Sequence, residues 1–116
     1  MMDAKTLPAC PVETTLTLIS DKWKVLIIRD LLPGTKRFGE LKRSVGSVSQ
    51  KVLTAQLRQM EESGLLTRTV YPEVPPRVEY ALTELGRSLE PVLDALRVWG
   101  ETYKTRGPLP EGAPSP

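Results

Sequence analysis

Histidine is absent from the 116 residues, and cysteine occurs once, at Cys10. Without an imidazole the chain cannot assemble within itself a His general base, a Ser-His-Asp triad or a Cys-His dyad. A structural zinc site takes about four Cys or His ligands, and this chain offers a single one. One cysteine also excludes an internal disulfide, and a lone thiol suits a reducing compartment. Long apolar runs are missing as well, since nothing approaches the roughly 18 consecutive residues of a membrane-spanning helix. The stretch Met1 to Pro11 carries Asp3 and lacks the apolar core of a signal peptide, so the expected location is the cytoplasm. There is no Gly-rich phosphate loop, and the adjacent carboxylates of Glu61 and Glu62 would not face each other on a helix. These absences argue against an enzyme, a metal site and a bound cofactor.

The net charge is only +2, yet its distribution is uneven. From Lys22 to Arg58 there are nine basic residues (Lys22, Lys24, Arg29, Lys36, Arg37, Lys42, Arg43, Lys51, Arg58) and two acidic ones, Asp30 and Glu40. That block carries +7 and leaves −5 for the remainder. Such an asymmetry fits a surface that faces a polyanion, and equally a solvated charged face.

Punctuation divides the chain. Residues 1–9 are polar and irregular and read as a flexible N-terminus. Pro11 suits the first position of a short helix carrying Val12, Leu16 and Ile19. Ser20 or Asp21 can cap a second, largely buried helix with Trp23, Ile27 and Leu31, which Pro33-Gly34 ends. After the link Thr35-Lys36-Arg37, the residues Phe38, Leu41 and Val45 mark a two-turn helix that stops at Gly46. Ser47 or Ser49 can cap a longer helix running to about Ser63, with Leu53, Leu57 and Met60 facing inward and Gly64 as its stop. The alternating segments Leu66 to Tyr71 and Val78 to Leu82 read as a hairpin around a proline-rich tip. Thr83 caps a final helix of about twenty residues, which Pro91 should bend. From Gly107 to Pro116 the composition predicts a disordered tail, leaving 10–106 as the folded unit.

The order helix, tight turn, helix, hairpin over residues 37–82 is a winged helix-turn-helix, so the fold class is mainly α with a small β-hairpin. The second helix is the one expected in the DNA major groove. With Leu53, Leu57 and Met60 turned to the core, Lys51, Thr54, Ala55 and Arg58 project outward. Lys and Arg suit phosphate or guanine, Thr donates or accepts, and a small Ala permits close approach. Gln50 suits adenine or a phosphate, and the helix N-terminus with Ser47 and Ser49 adds an anion site. Lys36, Arg37, Lys42 and Arg43 are expected to contact phosphates. Arg68 and Arg77 flank the hairpin loop, where Arg77 can serve as a wing cation or form a strand-end ion pair with Glu73 or Glu79.

The runs Asp21-Lys22-Trp23-Lys24, Arg37-Phe38-Gly39-Glu40-Leu41, Ser49-Gln50-Lys51-Val52-Leu53-Thr54 and Glu73-Val74-Pro75-Pro76-Arg77-Val78-Glu79-Tyr80 carry a resemblance. With the close Leu82-Thr83-Glu84-Leu85-Gly86 and the pair Trp99-Gly100, the chain resembles the HxlR-type winged helix-turn-helix regulators over roughly residues 10–104. The resemblance implies a homodimeric bacterial transcription factor whose N-terminal and C-terminal helices build the interface. Val12, Leu16, Leu93, Leu96, Trp99 and Tyr103 are the expected contacts, because the last helix has more apolar surface than one small domain covers. A two-fold dimer prefers an inverted-repeat operator in double-stranded DNA.

Cys10 stands where a helix N-terminus favours thiolate, and some proteins of the resembled family sense electrophiles or oxidants with a cysteine at such a Cys-Pro position. The expectation is therefore a DNA-binding regulator switched by thiol modification or by a small effector, located at the nucleoid when bound. Alternatives are a capping or packed thiol without a signalling role, and a winged-helix module that binds protein or a small molecule without specific DNA recognition.

Overall fold

The computed structural model describes residues 7–108. Most of the flexible N-terminus expected over 1–9, and most of the tail expected over 107–116, lie outside the described residues. The helix α1 (Pro11–Ile19) begins at the proline, whose missing N–H is harmless in a first turn. The helix α2 (Lys22–Leu31) is capped by Asp21, which accepts the Lys24 backbone N–H at 3.0 Å. A two-residue strand β1 (Lys36–Arg37) leads into α3 (Phe38–Val45). The Ser49 hydroxyl accepts the Val52 N–H at 3.1 Å and starts α4 (Gln50–Glu62). Gly64, at φ +80°, takes the left-handed conformation that closes α4, and β2 (Leu66–Tyr71) follows.

The strand β3 (Arg77–Leu82) pairs antiparallel with β2, with Leu66 opposite Leu82 and Tyr71 opposite Arg77. Its other edge pairs with β1, Lys36 opposite Tyr80 and Arg37 opposite Glu79. The expected hairpin is thus the larger part of a three-stranded sheet in the order β1-β3-β2. The segment 35–37 read as a plain link because two residues are too few to show alternation.

The expected single C-terminal helix is two. Thr83 caps the one-turn α5 (Glu84–Arg87), and α6 (Glu90–Arg106) starts after a break at Ser88-Leu89. Pro91 explains the break, because in a continuous helix it would owe an N–H to the Arg87 carbonyl and its ring would clash there. At the second position of α6 it owes nothing. Leu53, Leu57 and Met60 of α4 pack with Ile27, Ile28 and Leu31 of α2, Leu41 of α3 and Leu66 and Leu82 of the sheet in one core. Burial of this set is the main stabilising term, at about 1.5–3 kcal/mol per large apolar side chain.

Candidate nucleic-acid interface

With its inward row buried, α4 presents Lys51, Thr54, Ala55 and Arg58 on one exposed face, and together with Gln50 they line an open concavity of about 550 Å³. Ser49 lies at the start of the same helix, as its cap. All six residues expected in the major groove are thereby brought together on one element. A second concavity of about 460 Å³ separates α4 from the sheet, lined by Phe38, Gln50, Thr54, Arg58, Glu61, Arg68, Val78 and Tyr80 among others.

Arg68 is placed differently from its expected position beside the loop. It pairs with Tyr80, three positions below the Tyr71–Arg77 pair that closes the tip, and its side chain enters the groove against α4. The alternation Leu66, Arg68, Val70 contained that signal, since Leu66 is buried and residues two apart share a face.

Arg77 has partners within the wing. Its Nε lies 3.4 Å from Glu79 Oε2 and 3.6 Å from Glu73 Oε2, and its guanidinium stacks 4.1 Å from the Tyr71 ring centroid. The ion-pair alternative is the one the structure shows, and the wing cation reading requires these contacts to be exchanged for DNA.

The basic block divides on inspection. Lys24 is buried, its ammonium bonded to Gln59 Oε1 at 2.8 Å and Asp21 Oδ2 at 3.4 Å. Arg29 is held in its charged form by paired hydrogen bonds to Asp30, at 2.7 and 3.1 Å. Both were counted toward the polyanion-facing surface; Lys24 is spent within the fold, whereas Arg29 stays half exposed in its pair with the adjacent Asp30. Burial raises the affinity of Asp21 for a proton, but the Lys24 N–H, the Lys24 ammonium and Gln56 together hold its carboxyl below the ordinary value. Arg37 and Arg43 are exposed at either end of α3, while Lys36 and Lys42 are half-buried. The Arg37 backbone N–H is accepted by Glu40 Oε1 at 2.8 Å, which fixes the start of α3.

Cys10 is exposed, and its thiol makes no capping hydrogen bond to α1. Of the expected interface residues, Val12, Leu16, Leu96, Trp99 and Tyr103 are exposed, whereas Leu93 is buried in this chain's own core. Val12, Leu16, Ile19, Val25, Val92 and Leu96 line an apolar groove of about 450 Å³ between α1, α2 and α6.

The model of HxlR-like helix-turn-helix proteins matches residues 18–108, from the end of α1 to beyond α6. The chain belongs to the HxlR-like helix-turn-helix family. Among HxlR-like relatives, the HTH-type transcriptional regulator YdeP of Bacillus subtilis is 50% identical over 97 residues, spanning 84% of this chain and 76% of YdeP. The solved structure of the redox regulator HypR in its oxidized form is similar at a TM-score of 0.75 and 48% identity, covering 80% of this chain and 96% of HypR. The reduced form of the transcriptional regulator YodB from B. subtilis gives 0.73 and 34%, covering 87% of this chain and all of YodB. The winged helix-turn-helix and the role of a DNA-binding transcriptional regulator are those of the family. Among the described residues no helix is long and apolar enough to cross a membrane, and no group of His, Cys, Asp and Glu is arranged to hold a metal ion.

Proposed function

We propose that the chain is a homodimeric regulator that reads an inverted-repeat operator with one α4 per half-site. The observation that carries this reading is the single face of α4 on which Gln50, Lys51, Thr54, Ala55 and Arg58 stand exposed, a mixture of charged, polar and small side chains suited to a groove. Ser49 adds its helix terminus, and Lys36, Arg37, Lys42 and Arg43 supply backbone contacts that position without specifying. Arg77 acts from the wing once DNA competes for its carboxylate partners. The homodimer is built on Val12, Leu16, Leu96, Trp99 and Tyr103, exposed in the single chain, with Leu93 supporting that helix from within. Binding takes place in the cytoplasm, at the nucleoid.

Cys10 is the proposed sensing atom. Its thiol is exposed at the start of α1, and the similarity to a redox regulator supports the reading. With no second cysteine in the chain, oxidation leads to a disulfide between subunits or a mixed adduct, or an electrophile alkylates the thiol.

One duplex-binding experiment tests the whole reading. Affinity for selected genomic promoter fragments and for random duplex is measured from 50 to 200 mM salt, with and without diamide. The expected result is a steep salt dependence on both, a cognate preference of about 10³-fold or more, and release by diamide. A shallow slope without sequence preference supports the protein-interaction module instead. If the Cys10→Ser protein still releases DNA on diamide, the thiol is not the sensor.

A further inference from the structure

Leu53, Leu57 and Met60 hold α4 on the core, but apolar contact is non-directional. It fixes how far the helix stands from the core more firmly than how it is rolled about its own axis. Roll matters to a reading helix. Its outward side chains lie about 5–6 Å from the axis, so 10° of roll displaces them by about 1 Å. Base-edge hydrogen bonds span only about 2.7–3.2 Å and weaken steeply with misalignment.

The two flanks of α4 are restrained unequally. Toward the sheet, Thr54, Arg58 and Glu61 face an open groove of about 460 Å³. On the opposite flank, Gln59 accepts the Lys24 ammonium at 2.8 Å. Among the described residues this is the only side-chain-to-side-chain hydrogen bond that joins α4 to another helix or strand. Lys24 is itself held, because Asp21 takes its backbone N–H on Oδ1 and its ammonium on Oδ2. Lys24 is 8% exposed, so its end of the contact is shielded from water. Gln56, on the same flank, helps hold the Asp21 carboxyl ionised while its own buried Oε1 has no hydrogen-bond partner among the described residues, so this edge is organised around the Asp21–Lys24 pair.

We propose that Lys24 is the positioning residue of the reading helix: anchored by Asp21, its ammonium fixes the roll of α4 through Gln59 and thereby sets base discrimination. The inference rests on α4 being the major-groove reader. A buried lysine in a DNA-binding protein has two other roles open to it, a phosphate contact and plain structural support, and each leaves its own signature.

Lys24→Met keeps the length of the stem and removes the charge, and the Asp21 carboxylate it leaves unpaired is 38% exposed, so water can solvate it. The cognate-to-random affinity ratio is expected to fall about tenfold, with the salt slope unchanged because no phosphate contact is lost. Gln59→Met, at an exposed residue, is expected to reproduce that loss, and the double variant to be no worse than either single one. Gln59→Met carries the test alone if Lys24→Met does not fold. A slope lowered by about 1 makes Lys24 a phosphate contact and overturns the proposal. A lowered melting temperature with an intact ratio reduces it to structural support and overturns the proposal equally. Should the wild-type chain show no sequence preference, the reading of α4 fails first, and the tie is then tested without DNA. Residual dipolar couplings that report the same rotation of α4 about its own axis in wild type and Lys24→Met overturn it.

Discussion

At the residue scale, the division of labour lies between side chains that read and side chains that hold. Arg58 is exposed on the face of α4 proposed to read DNA, whereas Lys42 stands in the last turn of α3. A bidentate arginine-to-base contact is worth about 1–3 kcal/mol of discrimination, and a phosphate contact discriminates nothing. Arg58→Ala is therefore expected to weaken cognate binding by about that amount while sparing random duplex. Lys42→Ala should weaken both alike and lower the salt slope by about 1. Titrations on the two duplexes check the pair, and equal losses for Arg58→Ala remove its assigned role. The formal +7 of the basic block was a poor guide to this division. Lys24 and Arg29 count toward it but are engaged with Asp21, Gln59 and Asp30, and the composition of a segment does not say which cations the tertiary fold consumes. Arg77 shows the same limit, since its carboxylate partners Glu73 and Glu79 were visible in sequence but their geometry was not.

At the element scale, the sequence carried most of the fold because local rules and global packing agree in it. Pro11 opens α1, Asp21 and Ser49 cap α2 and α4, Gly64 closes α4, and the alternation of Leu66 to Tyr71 is β2 to the residue. What stayed hidden needed partners distant in the chain. The strand β1 exists because β3 has an edge to offer, and Arg68 faces α4 because β2 lies against it. The division of the last helix was half visible: Pro91 announced a disturbance, but not that a complete stop would precede it. The turn α5 also explains Gly86, which is buried against the Leu65 backbone so closely that an added Cβ would collide with the Leu65 carbonyl oxygen. The Thr83 N–H bonds that same carbonyl at 3.1 Å, so the backbone there has little freedom to withdraw. Gly86→Ala is accordingly expected to destabilise by about 1–3 kcal/mol, the usual range for overpacking, although alanine is the better helix former. Urea denaturation measures it, and a variant as stable as wild type would show that the α5 contact yields without cost.

At the scale of the whole molecule, the single chain leaves an apolar surface exposed, the one on which the proposed homodimer is built. Leu93 is the only buried residue of α6, while Leu96, Trp99 and Tyr103 further along are 52%, 69% and 46% exposed. The rings of Trp99 and Tyr103 stack on each other at 5.4 Å, a rigid aromatic pair facing outward. Val12 and Leu16 of α1 continue the surface through the groove they share with Leu96. A two-fold axis through such a surface buries each patch against its own copy, as a self-complementary interface requires. Covering Trp99 removes about 150 Å² of apolar area per chain. At about 25 cal/mol per Å² that contributes about 4 kcal/mol from each copy, before Leu96 and Tyr103 are counted. Trp99→Glu replaces this gain with the desolvation of a carboxylate on both sides of the axis. Wild-type protein at micromolar concentration is expected to sediment at about twice 12.9 kDa, and Trp99→Glu as a monomer with its fold intact by circular dichroism. The monomer should still bind a single half-site weakly, because its α4 is unaltered, but lose the preference for inverted repeats whose halves stand about one helical turn or a multiple apart. A Trp99→Glu protein that remains dimeric would place the interface away from the far half of α6, and with it the geometry that sets the spacing of the two reading helices.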